Sequence, residues 1–179
     1  MTIYEELKKD HRDVLGLMDR LIQSADSSAD QRNYLIKEIR NALIPHSRAE
    51  EAVFYNAIRQ EAESKSMIQH AYADHMMAEG LLRSLQVTGM VDVGWRQTAT
   101  KLRDALTHHI QEEETEVFAE ARKVLTNQEA DQIGAAFVHL KPSIEEQGLV
   151  GTSLDLIANL MPGRFVETFR RLGVHNGQI

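Results

Sequence analysis

Apolar residues recur every three or four positions over four long stretches of the chain, which is the period of an amphipathic α-helix. The stretches cover about residues 2–24, 31–63, 65–87 and 92–125. The segments between them are short and polar, and the first of these offers several good helix N-cap residues. We therefore predict an all-α fold, an up-down-up-down four-helix bundle.

A second region follows the fourth stretch. Thr126 and Glu129 have the spacing of a capping box, which predicts the start of a further helix. We divide the chain into a bundle, residues 1–126, and a helical C-terminal extension, residues 127–179. The extension is expected to pack against the bundle or to form a homodimer contact, with a partner-binding tail as the alternative.

Glycine and proline predict several helix boundaries. Pro45 lies inside the second stretch, so it either kinks that helix or begins a new one. A break at Val87-Thr-Gly89 is expected to end the third helix. The pair Lys141-Pro142 is expected to end the first helix of the extension.

Composition excludes several classes of function. The 179 residues are 42% hydrophobic with three prolines, enough for one domain with a real core. A net charge of −7 gives no support for binding nucleic acid or an anionic membrane. The absence of cysteine excludes disulfides and thiolate metal sites. No apolar run is long enough to span a membrane, and the N-terminal residues lack the apolar core of a signal peptide, so a cytoplasmic protein is expected.

The apolar stripes contain polar groups that a hydrophobic core does not need. The second helix carries His46 and Glu50 one turn apart on its inward face, and the fourth repeats this pattern. The first and third helices each carry one inward histidine. The complete set of inward polar residues is His11, His46, Glu50, His75, His109 and Glu113.

The spacing of these residues indicates that one helical hairpin is repeated. His11 and His46 are 35 residues apart, and His75 and His109 are 34 residues apart. The two hairpins are therefore offset by 63 to 64 residues. Folding them together would direct four imidazoles and two carboxylates at one point inside the bundle.

A metal site explains this set better than a polar core does. A single inward histidine is usually a hydrogen-bonded core residue, and a His-x-x-x-Glu pair can be an ordinary intrahelical contact. Six such groups buried together are costly unless a cation accepts their lone pairs. Nitrogen and oxygen ligands without thiolate suit iron, manganese or zinc. Because carboxylates bridge metals well, two carboxylates among six ligands favour a pair of ions with open coordination positions.

Several neighbouring residues are weaker candidates. Glu79, four residues after the third-helix histidine, is interpreted as a neighbour of the site more than as a ligand. Glu51 and Glu114 lie just off the inward face and are expected to be solvated, with a role beside the ligands as the alternative. The residues expected to turn away from the stripes are His70, His108 and Glu112.

Four segments carry a resemblance to a known family. They are DHRD around His11, HSRAEEAVFY with His46 and Glu50, ADHMMAEGLL with His75, and HIQEEETEVF with His109 and Glu113. In order and spacing they resemble the hemerythrin-like HHE cation-binding family over about residues 2–125.

The resemblance implies a hemerythrin-like bundle around a non-haem di-iron centre. The four histidines would be terminal ligands, and Glu50 and Glu113 would bridge the two irons. An oxo or hydroxo group would complete the bridge, and manganese or zinc could take the place of iron. No catalytic residue is assigned.

One departure separates this chain from the oxygen-carrying hemerythrins. Those proteins place two histidines four residues apart on the third helix and His-x-x-x-x-Asp on the fourth. Here Ala71 stands four residues before His75, and the fourth helix has His-x-x-x-Glu. The resemblance is therefore to the HHE branch, for which reversible oxygen storage is not expected.

Three functions remain open. The favoured one is a di-iron protein that binds, senses or buffers iron or a diatomic ligand, dioxygen or nitric oxide, at an open coordination position. The second is an oxidoreductase acting on peroxide or a related species, with Glu79 or Tyr72 as proton donor. The third is a helical interaction protein in which the metal serves stability.

Overall fold

The computed structural model describes residues 1–26, 28–59, 64–91, 94–151 and 154–166. Its regular structure in these ranges is helical, which confirms the all-α prediction. The α-helices are α1 Ile3–Gln23, α2 Ala29–Glu50, α3 Asn56–Ile58, α4 Ser64–Val91, α5 Trp95–Glu112, α6 Phe118–Val124, α7 Asn127–Gly151 and α8 Leu154–Leu160. Two π-helical segments join some of them, Glu51–Tyr55 between α2 and α3 and Glu113–Val117 between α5 and α6.

Four helical rods form the predicted bundle. Helices α1 and α2 make the first hairpin, and α4 and α5 make the second. The hairpins meet where α1 contacts α5 and α2 contacts α4. Helix α7 packs on the outside of the bundle against α1 and α2. Residues 167–179, at the end of the predicted extension, lie outside the described part of the chain.

Helix α7 begins at the predicted capping box. The backbone N–H of Thr126 donates to the Glu129 carboxylate at 2.8 Å, and the backbone N–H of Glu129 donates to Oγ1 of Thr126 at 3.3 Å. These bonds satisfy donors that a helix start leaves without intrahelical partners. The sequence signal was therefore sufficient at this end of the helix.

Two predicted boundaries are wrong, because α4 continues past residue 89 to Val91 and α7 runs through Pro142 to Gly151. Helix α2 is continuous through Pro45, which excludes a new helix there and leaves the kink as a prediction. Proline removes only one backbone donor, and packing on both sides of it can hold the helix together. Phe137 and Ile144, before and after the second proline, are both buried.

The two π-helical segments occupy equivalent places in the two hairpins. One begins directly after Glu50, and the other begins at Glu113. A π turn holds an extra residue, which widens the helix, and such turns frequently occur at functional sites. Both wide turns therefore lie beside the inward carboxylates.

The hydrophobic core is divided into two clusters. One contains Leu7, Val53 and Val117 together with the buried residues of α7, and the other contains Val14 and Leu43 among others. The inward histidines and glutamates occupy the turns between these clusters. The result is one polar layer that crosses an otherwise apolar bundle.

Gly134 fixes how closely α7 approaches the start of α1. A Cβ atom at this position would lie 2.6 Å from the carbonyl oxygen of Met1 and 2.8 Å from the backbone nitrogen of Ile3. Backbone atoms cannot move aside as a flexible side chain can, so the position requires glycine for packing.

In the part of the chain that is described, no helix is long and apolar enough to cross a membrane.

Candidate metal centre

The structure brings all six inward polar residues into one buried layer. None of them exposes more than 6% of its surface. Each helical rod contributes the residues that the hairpin repeat predicts: His11 from α1, His46 and Glu50 from α2, His75 from α4, His109 from α5, and Glu113 from the first position of the second π segment.

Each buried glutamate lies between two imidazoles from different hairpins. Oε2 of Glu50 lies 3.5 Å from Nε2 of His46 and 3.4 Å from Nε2 of His75. Oε2 of Glu113 lies 3.2 Å from Nε2 of His11 and 3.9 Å from Nε2 of His109. Both carboxylates therefore take the position of a bridge between two pairs of histidines.

A second ring of carboxylates holds the outer nitrogen of each imidazole. Glu51 lies 2.9 Å from Nδ1 of His75, and Glu114 lies 2.9 Å from Nδ1 of His11. A carboxylate that accepts from Nδ1–H fixes the imidazole tautomer and leaves the Nε2 lone pair free for a metal. Glu51 is 8% exposed, so the expectation that it is solvated is wrong.

The other two members of this ring were missed by the sequence analysis. Asp10 lies 3.3 Å from Nδ1 of His46, and Asp74 lies 3.5 Å from Nδ1 of His109. The sequence holds a signal for them, because each aspartate directly precedes a histidine of the repeat and the two are 64 residues apart. Periodicity gave no reason to choose them, since each contacts a histidine of the neighbouring helix.

Basic side chains support the outer carboxylates. Nζ of Lys141, on α7, lies 2.9 Å and 2.6 Å from the two oxygens of Asp10. Arg48 contacts Glu51 at 3.0 Å and Glu79 at 2.5 Å. Glu79 is therefore a partner of Arg48 at the edge of the site, in agreement with the view that it neighbours the ligands.

Two tyrosines lie above the α4 histidine. The ring of Tyr55 stacks on His75 with centroids 5.6 Å apart, and Tyr72 meets the edge of Tyr55 at 5.6 Å. Burial raises the pKa of Tyr55 well above its ordinary value, and the nearby charges of Glu113 and Glu50 add to the effect. Tyr55 therefore remains protonated and closes the layer from one side.

Comparison with known proteins identifies the family. The profile of the hemerythrin HHE cation-binding domain matches residues 2–121, a span that contains all six inward residues. The chain belongs to the hemerythrin HHE cation-binding family. Cation binding is accordingly the function that the family and the clustered ligands support.

Two individual proteins resemble this HHE domain. A crystal structure of an HHE cation-binding domain-containing protein from Mycobacterium kansasii has a TM-score of 0.69 and 23% identity, covering 88% of this chain and 98% of that one. This likeness shows the shared fold. A DNA nickase of Nostoc sp. strain PCC 7120 is 25% identical over 147 residues. The match covers 82% of this chain and only 41% of the length of that relative.

The chemistry of the HHE site fits a bound cation. Nε2 of His11 and all four side-chain oxygens of Glu50 and Glu113 are buried and make no hydrogen bond to the described residues. Burial and the neighbouring charge of Glu113 raise the pKa of Glu50 well above its ordinary value. Two adjoining carboxylates in an apolar bundle cannot both ionise without a positive charge between them.

The pKa of Glu113 moves in the opposite direction. Burial works to raise it, but the close polar contacts with Glu50 and His11 outweigh burial and lower it. Burial also lowers the pKa of His46 to about 4, so this imidazole is neutral at pH 7. A neutral imidazole beside an ionised carboxylate has the donor character that a metal ion requires.

Proposed function

We propose that this HHE domain holds two iron ions and binds a diatomic molecule, dioxygen or nitric oxide, as a sensor or buffer. His11 and His46 would bind one ion, and His75 and His109 the other, with the two glutamates shared between them. Iron supplies a redox-active Lewis acid with open coordination positions.

The observation that carries the choice of ligand is a small cavity beside the histidines. All four imidazoles line it, together with apolar side chains such as Val14, Leu43 and Leu106. The cavity leaves about 10 Å³ for the centre of a water-sized molecule. That is close to the minimum for one water, which favours a ligand of very few atoms over a larger organic substrate.

Two further observations favour a receptor over an enzyme. Neither Glu79 nor Tyr72, the proton donors considered for peroxide chemistry, is among the described residues that line the cavity. Glu79 instead forms an ion pair with Arg48. DNA cleavage is not proposed, because a net charge of −7 opposes the approach of a polyanion.

The test is anaerobic loading with ferrous iron, elemental analysis, and titration with nitric oxide while the absorption spectrum is recorded. We expect two irons per chain and a spectral change that saturates at a fixed ratio of nitric oxide to chain. His46→Ala with His109→Ala removes a ligand from each hairpin and should abolish both results. His139→Ala, at an exposed position of α7, is the matched control and should change neither.

Each other outcome has a defined meaning. A folded wild-type chain that takes up no iron would contradict the proposal. Sustained turnover of peroxide by the loaded protein, without stoichiometric binding of nitric oxide, would replace it with the oxidoreductase alternative. Two tightly held metals that respond to no diatomic ligand would leave a structural role for the centre.

A further inference from the structure

Three polar side chains that the sequence analysis placed at the surface form a second cluster. Nε2 of His70, on α4, lies 3.4 Å from Oε2 of Glu112, on α5. Nε2 of His108, one turn before Glu112, lies 3.3 Å from the other carboxylate oxygen. The histidine side chains are 60% and 63% exposed and the glutamate side chain is 36% exposed, so water reaches the cluster freely.

The geometry of the cluster suits one divalent cation. One ligand atom from each residue lies within 4.8 Å of the other two. Bonds of about 2.1 Å at tetrahedral angles separate neighbouring ligand atoms by about 3.4 Å. Each imidazole lies at a similar distance from one of the two oxygens of Glu112. Two imidazoles and a carboxylate, with water in the remaining positions, form a donor set for zinc or ferrous iron.

The cluster lies at the mouth of a pocket that leads to the buried layer. His70 and Glu112 line this pocket of about 290 Å³, and so do the buried Asp74, His109 and Glu113. Oδ2 of Asp74 lies 3.8 Å from Nε2 of His70 and 3.5 Å from Nδ1 of His109. That oxygen makes no hydrogen bond within the described chain, so it faces both the surface cluster and the centre.

The equivalent approach through the other hairpin is lined by different groups. A pocket between α1, α2 and α7 reaches His46, but Lys141 and Asp10 line it and are bonded to each other. Asp10 is the counterpart of Asp74 in the repeat. Asp10 is thus already paired with an ammonium group, whereas the cluster on the α4–α5 side offers two imidazoles and a carboxylate to an incoming cation.

We propose that His70, His108 and Glu112 bind a divalent cation at the surface and supply it to the buried centre through this pocket. The binding step stands on the cluster alone, and the supply step rests on the proposed function. The surface site, with three protein ligands and open water, would be weaker and exchange faster than the buried one.

The binding step is tested with Zn²⁺ and Co²⁺ by equilibrium dialysis and elemental analysis. In a His46→Ala, His109→Ala background, which disables the buried centre, we expect one cation per chain. His70→Ala with His108→Ala added to that background should remove it, and His139→Ala should not. If this His46→Ala, His109→Ala variant is folded by circular dichroism but binds no cation, the three residues form only a surface ion pair and the proposal is wrong.

The wild-type background provides a second test in case that variant does not fold. The wild-type chain should bind one more Zn²⁺ than the His70→Ala, His108→Ala variant, at a lower affinity than the buried ions. Equal numbers of Zn²⁺ in the two proteins would overturn the proposal. This result does not depend on whether iron in the buried centre binds a diatomic ligand.

The supply step is tested by the rate of ferrous iron uptake at low iron concentration. The His70→Ala, His108→Ala variant should reach the wild-type iron content at least about tenfold more slowly, because local cation concentration at the pocket mouth is lost. His139→Ala should load at the wild-type rate. Equal rates for all three proteins would overturn the supply step.

Discussion

The Nε2 atoms of His75 and His109 lie 3.2 Å apart inside the bundle. Their Nδ1 atoms face the carboxylates of Glu51 and Asp74, an arrangement that favours a proton on each outer nitrogen and a lone pair on each inner one. Two lone pairs at this distance repel each other unless a proton or a cation lies between them. Opposing lone pairs in a buried layer are the clearest single indication of a metal centre in this protein.

Metal removal should therefore destabilise the fold. A ligand that binds only the folded state adds about 2.7 kcal/mol of stability at a concentration 100 times its Kd. We expect the melting temperature to fall when a chelator is added and to recover when ferrous iron is restored. The His46→Ala, His109→Ala variant should melt at the same temperature in both conditions, as differential scanning calorimetry can show.

Removing the charge of an outer carboxylate should weaken metal binding without unfolding the protein. Glu51→Gln replaces the partner of His75 Nδ1, and such changes beside metal ligands typically lower affinity about 10- to 100-fold. Glu120→Gln is the matched control, because Glu120 pairs only with the exposed Lys123 among its described ion pairs. Competition with a chromophoric chelator measures both affinities, and equal values would show that Glu51 does not support the ligand.

The ion pair between Lys141 of α7 and Asp10 beside the buried layer should contribute measurably to the free energy of unfolding. Burial works to raise the pKa of Asp10, but hydrogen bonds from His46 and Lys141 hold it at about 2. Lys141→Met leaves this half-buried carboxylate without its ammonium partner and should cost about 1–3 kcal/mol of unfolding free energy. Lys9→Met breaks the exposed pair with Asp13 and should cost at most about 1 kcal/mol.

Urea denaturation of the metal-free variants compares the two lysine substitutions directly. Similar losses of unfolding free energy would contradict the view that Lys141 supports a buried charge while Lys9 pairs at the surface.

Two helical glycines should respond to alanine in opposite directions. Gly134→Ala places a methyl group against the backbone of Met1 and Ile3 and should destabilise the protein by about 1–3 kcal/mol. Gly80→Ala meets nothing within 4 Å and should stabilise it by about 0.5–1 kcal/mol, the difference in helix propensity. Both effects can be measured as shifts of the denaturant midpoint at an unchanged slope m. If Gly134→Ala left the free energy of unfolding unchanged, the N-terminal residues would have moved aside to admit the methyl group.

The sequence alone predicted the bundle and the six inward polar residues. Both follow from the helical period, which decides which side chains share a face before any packing is known. The repeat of His11 and His46 in His75 and His109 strengthened that prediction, because chance rarely repeats a spacing in matching helices. The ligand roles of the six residues remain a prediction for the metal analysis to test.

Only the tertiary structure showed how the layer is completed. Glu51 reaches His75 from the first position of a π-helical segment, and a regular 3.6-residue period cannot anticipate the extra residue of such a segment. Asp10 and Lys141 meet although 131 positions separate them, because α7 packs against α1 and α2. Helical periodicity reports the face on which a side chain lies, whereas the partner across that face depends on how separate helices pack, and no local pattern records that.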